Sequence, residues 1–117
     1  MAALFTPDGT MQRPSGDALV GRAAIQQAYE SRGPGRITRH ICTNIRITVE
    51  SADRARGLTY AIVYSATAGH PPSGHFGIPA DARHLVGEFE DKFVLTAEGW
   101  RIASRRARFV MHVGTVP

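Results

Sequence analysis

The stretch Ile37–Val49, with the sequence ITRHICTNIRITV, decides the fold of this chain. Apolar and polar residues alternate along most of it, which is typical of a β-strand with one buried face. The apolar face is expected to hold Ile41, Ile45, Ile47 and Val49. The other face is expected to hold His40, Cys42, Asn44, Arg46 and Thr48, unless a β-bulge intervenes and exchanges the faces beyond it.

Three more strands are predicted after this one. Leu58–Ala66 is rich in Tyr, Ile and Val, and His84–Leu95 is joined to Trp100–Val113 by a tight turn at Thr96–Gly99. Between the second and third strands, Gly69–Ala82 is rich in proline and glycine, which cannot pair into a sheet. We expect a long exposed loop there, in the position of a lid.

The residues before Ile37 predict one helix and one hairpin. The helix opens at Gly21 and Arg22, runs for about ten residues and ends at Gly33–Gly35. Its apolar positions recur at three- and four-residue spacing, at Ala24, Ile25, Ala28 and Tyr29. Residues 4–13 predict an edge hairpin with its turn at Thr6–Gly9. The element order of strand, helix and four strands indicates an α+β domain.

Length and composition limit the class of protein. The chain has 117 residues, 43% hydrophobic and 21% charged, which predicts one globular domain spanning 1–117. No apolar run is long enough for a membrane span or a signal peptide, so a cytoplasmic protein without a membrane partner is expected. The net charge is +4, but the arginines are scattered among ten acids, which argues against a nucleic-acid partner.

Five short segments in order carry a family resemblance. They are LFTPDG at Leu4–Gly9, VGRAAI at Val20–Ile25, Arg39-His40 followed by Thr43-Asn44-Ile45, GEFEDKF at Gly87–Phe93, and GWRI at Gly99–Ile102. Together they resemble the SnoaL-like group of the nuclear transport factor 2-like superfamily. The resemblance implies a strongly curved, mixed or antiparallel sheet wrapped around a helix. It also implies a cone-shaped pocket for a small apolar or aromatic ligand, and often a homodimer.

The resemblance also implies a type of chemistry, and this sequence departs from the family pattern that supports it. In the dehydratase branch, a histidine at the start of a long strand works with a Tyr and an Asp from the first helix, and His40 matches that histidine. Only three residues precede the LFTPDG segment here. The domain is therefore expected to be short at its N-terminus and to lack that helix, so that either the start is truncated or a partner chain supplies the missing wall.

His40 and Asp91 are the candidate catalytic residues. An imidazole titrates near neutral pH and suits proton transfer next to a carbonyl, although a hydrogen-bonded strand histidine is the plainer alternative. Asp91 is in phase with Phe89 and Phe93, so desolvation could raise its pKa into a useful range. Alternatively, Asp91 pairs with Arg105 or Arg106 on the neighbouring strand and stays ionised.

Other residues are candidates for substrate binding, each with core packing as the alternative. They are Tyr60, Tyr64, Phe89, Cys42, Asn44 and Met11. The histidines match no zinc spacing and no phosphate-cradling glycine motif opens a helix, so neither a metal nor another cofactor is expected.

Three functions follow from these features. The first is a cofactor-free dehydratase, isomerase or cyclase acting on a polycyclic, polyketide-like or steroid-like substrate. The second is a non-catalytic module for ligand binding or dimerisation. The third uses Arg101, Arg105, Arg106 and Arg108 as an anion-binding surface.

Overall fold

The described part of the chain contains one α-helix, a short 3-10 helix and six strands in a single sheet. The computed structural model describes residues 2–68 and 75–114. A 3-10 turn at Ala2–Leu4 precedes the other elements. These are β1 (Phe5–Gln12), β2 (Ala18–Val20), α1 (Arg22–Glu30), β3 (Arg36–Val49), β4 (Arg54–Thr67), β5 (His84–Thr96) and β6 (Gly99–Val113). The predicted helix and the four predicted long strands are confirmed.

The sheet has the order β2-β1-β6-β5-β4-β3. All neighbouring strands are antiparallel except β1 and β6, which run parallel, so the sheet is mixed. Shifts of register interrupt the pairing of β3 with β4, of β5 with β6 and of β1 with β6. Because a bulge bends a strand and increases its twist, these shifts account for the curvature of the sheet. The predicted α+β class and curved mixed sheet are confirmed.

The prediction of a tight turn at Thr6–Gly9 is wrong. These residues belong to β1, and the shift in its pairing with β6 falls between Phe5 and Thr10. The Pro-Asp-Gly sequence therefore bends the strand instead of reversing it. The hairpin that β1 does form is with β2, through the loop at residues 13–17.

The hydrophobic core lies where α1 packs against β1. Its buried members are Ala2, Phe5, Met11, Ile25 and Ile102, with Leu19, Tyr29 and Phe93 packed around them. Helix α1 packs on the 3-10 turn, β1 and β2. It therefore covers one end of the sheet and leaves the part formed by β3 and β4 open on the same side. The sheet is wrapped around the helix at that end only.

The predicted lid is described only in its second half. Residues 69–74, which include His70, lie outside the described residues. Residues 75–83 form no helix or strand. Asp81 ties this segment to the sheet, since its carboxylate accepts a hydrogen bond of 2.8 Å from Arg36 and its backbone N–H donates to the carbonyl of Ser65.

Gly87 is expected to tolerate no side chain. A Cβ atom there would lie 2.7 Å from the carbonyl oxygen of Arg108 and 3.3 Å from Cδ1 of Phe109. Because the nearest atom is backbone, Gly87→Ala is expected to lower the free energy of unfolding by about 1–3 kcal/mol, measured by urea denaturation. Gly33→Ala is the control, since no atom lies within 4 Å of its Cβ position. An equal loss in both variants would contradict this prediction.

Candidate functional site

The face of the sheet that carries α1 can be followed from β1 to β3, because residues paired directly across strands point to the same side. Met11 belongs to the core beneath α1 and pairs with Arg105. Arg105 pairs with Asp91, and Asp91 with Gly57. We call this side the inner face.

The inner face continues along β4 and onto β3. Ala61 and Val63 lie four and six residues after Gly57, so they are on the same face of β4. Ala61 pairs with Cys42, and Val63 pairs with His40. Phe89 lies between Asp91 and Gly87 at alternate positions of β5. The structure therefore places five of the predicted site residues on one face: His40, Cys42, Phe89, Asp91 and Met11.

A β-bulge in β3 reassigns the residues beyond it. The register shifts between Thr43 and Arg46, and Asn44 has a φ of 51°. Ile47 consequently pairs with Gly57 on the inner face, and Val49 with Ala55. The face assignment expected without a bulge is wrong beyond Thr43. Asn44 itself is exposed at the bulge and accepts a hydrogen bond of 3.1 Å from the hydroxyl of Thr43.

Tyr60 and Tyr64 lie on the opposite side, which we call the outer face. Tyr60 pairs with Thr43 and Glu88, in phase with Ile62 and Tyr64. The ring of Tyr64 stacks on His84 at 4.9 Å between centroids. The sheet itself therefore separates Tyr60 and Tyr64, two of the candidates for substrate binding, from His40.

A buried ion pair anchors the inner face. Asp91 is 4% exposed, and its carboxylate accepts hydrogen bonds from Nε of Arg105 at 2.8 Å and from Nη2 at 2.9 Å. Of the two alternatives for Asp91, the pair with an arginine is the one that forms. Both carboxylate oxygens are engaged, so Asp91 positions Arg105 and is not a free base.

An aromatic ring connects this pair to His40. The guanidinium carbon of Arg105 lies 4.3 Å from the ring centroid of Phe89, which is a cation–π contact. The ring of Phe89 also lies 6.2 Å from the ring of His40, measured between centroids. Among the described residues, Nη1 of Arg105 has no hydrogen-bond partner. The arrangement thus combines a cation, a flat apolar surface and an imidazole.

The electrostatic environment keeps His40 neutral. Partial desolvation lowers the pKa of His40 below its ordinary value of 6.5, and the positive charges of Arg32 and Arg105 lower it further. At neutral pH the imidazole is therefore unprotonated and able to accept a proton. No sequence pattern indicated Arg32, because this residue, two positions after the end of α1, comes within electrostatic range of His40 only in the folded chain.

The site is open to solvent at its β3 side. His40 and Cys42 are both exposed, whereas Met11 is packed in the core. The expected dry pocket around His40 is therefore not closed by the described residues. The physical reason is the length and place of α1, whose nine residues pack on β1 and β2 and make no comparable contact with β3.

Two other features of the described residues bear on function. Residues 2–68 and 75–114 contain no group of three His, Cys, Asp or Glu side chains placed to hold a metal ion. Within the same residues, no helix has the length and hydropathy needed to cross a membrane.

Known proteins resemble the chain in sequence pattern and in fold. The profile of the SnoaL-like domain matches residues 1–106. A candidate scytalone dehydratase from Novosphingobium aromaticivorans superposes with a TM-score of 0.78 at 22% identity, over 99% of this chain and 72% of that one. A candidate dehydratase of the nuclear transport factor 2-like family from Streptomyces avermitilis gives a TM-score of 0.76 at 19% identity, over 94% and 81%.

A function-unknown protein from Mycobacterium tuberculosis gives a TM-score of 0.74 at 28% identity, over 93% of this chain. The match covers 57% of that protein, so this chain spans little more than half of its length. No curated protein sequence is significantly similar to the chain.

Proposed function

Because this chain belongs to the SnoaL-like domain family, we propose that it is a cofactor-independent lyase or isomerase with His40 as its catalytic base. The substrate is a small, flat molecule of polyketide-like or steroid-like type that carries a carbonyl group. The observation that carries the proposal is the contact chain on the inner face, in which Phe89 lies between the imidazole of His40 and the guanidinium of Arg105.

The proposed reaction begins with proton abstraction. Neutral His40 removes a proton from the carbon next to the carbonyl of a substrate that lies against Phe89. The negative charge that develops on the carbonyl oxygen is stabilised by Nη1 of Arg105, which Asp91 holds in place. In an isomerisation, protonated His40 returns the proton to another carbon. In a dehydration, it protonates the leaving hydroxyl, which departs as water.

The other candidates on this side of the sheet have supporting roles in the proposal. Cys42 is two residues from His40 on the same face and, with Asn44 at the bulge, borders the open side of the site. We also propose a homodimer in the cytoplasm, since a partner copy would exclude water from this side.

A second candidate function is a non-catalytic ligand-binding or dimerisation module. The exposure of His40 and Cys42 favours it, because proton transfer next to a carbonyl is most effective where water is excluded. A screen of flat aromatic and steroidal ketones, monitored by ultraviolet absorbance, distinguishes the enzyme from the non-catalytic module. Turnover supports the enzyme, whereas saturable binding without any product supports the module.

The titration of His40 tests the electrostatic part of the proposal without a substrate. In NMR, its ring signals are expected to titrate below pH 6.5, because partial desolvation and two cations disfavour the imidazolium. With a substrate, kcat/KM is expected to rise with pH through the same pKa and then level off, since the unprotonated form is the active base. Arg32→Gln is expected to raise this pKa by removing one of the cations.

Arg39→Gln is the matched control for that titration. Arg39 is adjacent to His40 in sequence but pairs with Tyr64, so it lies on the outer face. Its replacement is expected to leave the pKa of His40 unchanged. A pKa of His40 above 6.5 in the unmodified protein would contradict the proposed neutral base.

A further inference from the structure

The outer face contains an open groove that crosses the sheet. It has a cavity volume of about 890 Å³ and is lined by residues of all six strands. Tyr60 and Tyr64 are not among the lining residues. Besides Arg105, which is paired with Asp91 on the inner face, four cations border it, one on each of β3, β4, β5 and β6: Arg46, Arg56, Lys92 and Arg106. We call this set the basic quartet.

Cross-strand pairing places the quartet in two neighbouring rows. Lys92 pairs with Arg56 on one side and with Ser104 on the other. Arg106 and Arg46 lie in the next row, separated by Glu90 and Leu58. Strands are about 4.8 Å apart, so the quartet spans roughly 14 Å across the sheet.

The quartet is not neutralised by the protein. Among the described residues, none of its four side chains takes part in an ion pair or a side-chain hydrogen bond, and all four are exposed. The carboxylate between them, Glu90, is likewise in no ion pair with a described residue. Asp91 also borders the groove, but its side chain points to the inner face. Positive charge therefore exceeds negative charge in the groove.

Within the part of the chain that the structure describes, the unpaired charge along β6 does not continue beyond Arg106, whereas along β4 Arg54 extends it by one row. In the row beyond Arg106, Arg108 donates two hydrogen bonds to Glu88, at 3.0 and 2.7 Å. On the other side, Arg101 lies 3.7 Å from Glu98. The expected anion surface of Arg101, Arg105, Arg106 and Arg108 is therefore wrong as a set, because three of its members have carboxylate partners and Arg105 lies on the inner face.

From this placement we propose that the basic quartet binds a small organic molecule with two or more phosphate or carboxylate groups. Two or more anionic groups are needed because the four cations are spread over four strands. Hydroxyl groups of Thr10, Thr48 and Ser104 line the same groove and can donate hydrogen bonds to anionic oxygens. The volume lies in the range of about 300–1,000 Å³ that is usual for small-molecule sites.

The size and charge of the quartet argue against the other occupants. A nucleic-acid strand needs a basic track longer than about 14 Å. In the flanking rows of β6, Arg101 and Arg108 are already paired with carboxylates. A second copy of this chain, packed symmetrically on the groove, would bring one quartet against another. Like charges placed opposite each other oppose such a contact.

Tripolyphosphate is the probe for a test by isothermal titration calorimetry with the full chain. One saturable site is expected, with affinity that falls as the salt concentration rises. Arg56→Gln and Lys92→Gln are each expected to weaken binding by about tenfold or more, since each removes a charged contact. Arg39→Gln is the control, because it removes an exposed arginine of the same face outside the groove. Citrate serves as a second probe, to separate recognition of carboxylates from that of phosphates.

Three results would overturn the inference. The first is the absence of saturable binding of either probe. The second is an equal loss of affinity in the Arg39 and Arg56 variants, which would indicate unspecific attraction to a basic protein. The third is tighter binding of a short single-stranded oligonucleotide than of tripolyphosphate, which would assign the groove to nucleic acid.

Discussion

Replacing His40 with Gln is expected to lower kcat/KM by about 10²–10⁴-fold, the usual contribution of a positioned acid or base. Glutamine has a similar reach but, unlike an imidazole, cannot accept and return a proton near neutral pH. The loss is expected mainly in kcat, because Phe89 and Arg105 still bind the substrate. The measurement is steady-state turnover of a ketone found by the screen described above.

His112→Gln is the control for this variant. His112 lies in the same cross-strand row as His40, through Leu85 and Val63, but on β6, three strands away. It is exposed like His40, so neither substitution is expected to change the free energy of unfolding much. Unchanged turnover in the His40 variant, or an equal loss in both variants, would remove His40 from the mechanism.

Replacing Asp91 with Asn is expected to lower the free energy of unfolding by about 3–5 kcal/mol. The side chain of Asp91 is 2% exposed and that of Arg105 is 14% exposed. Asparagine keeps the shape of the side chain but leaves the guanidinium buried without its counter-charge. Urea denaturation measures the loss. The slope of the free energy of unfolding against urea concentration is expected to stay unchanged.

Glu88→Gln provides the matched comparison for the Asp91 variant. Glu88 and Arg108 form an ion pair of 2.7 Å between the same two strands, but the Arg108 side chain is 61% exposed. Because solvent screens such a pair, the loss is expected to be much smaller than the loss at Asp91. The double variant Asp91→Leu with Arg105→Met is expected to recover most of the stability lost in Asp91→Asn, since no unpaired charge remains. Equal losses at Asp91 and Glu88 would contradict the proposed role of burial.

Cross-strand contacts could be predicted from the sequence only where a turn defines the pairing. The turn at Thr96–Gly99 brings β5 and β6 together, which made Arg105 and Arg106 the two candidates for Asp91. Choosing Arg105 required the register shift between Lys92 and Phe93, a feature without a sequence signal. The Pro-Asp-Gly segment in β1 is the opposite case, because its turn chemistry was overridden by pairing with a strand nearly one hundred residues later in the chain.

The sequence by itself determined the elements: the alternation in Ile37–Val49, the helical spacing from Ala24 to Tyr29, and the turn between β5 and β6. These patterns depend on neighbouring residues, so they can be read locally. Only the tertiary structure decided which residues meet. The bulge at Asn44 turns Ile47 to the inner face, the sheet separates Tyr60 and Tyr64 from His40, and α1 covers β1 but not β3. Each of these outcomes depends on hydrogen bonding and packing between residues distant in the chain, which local periodicity does not specify.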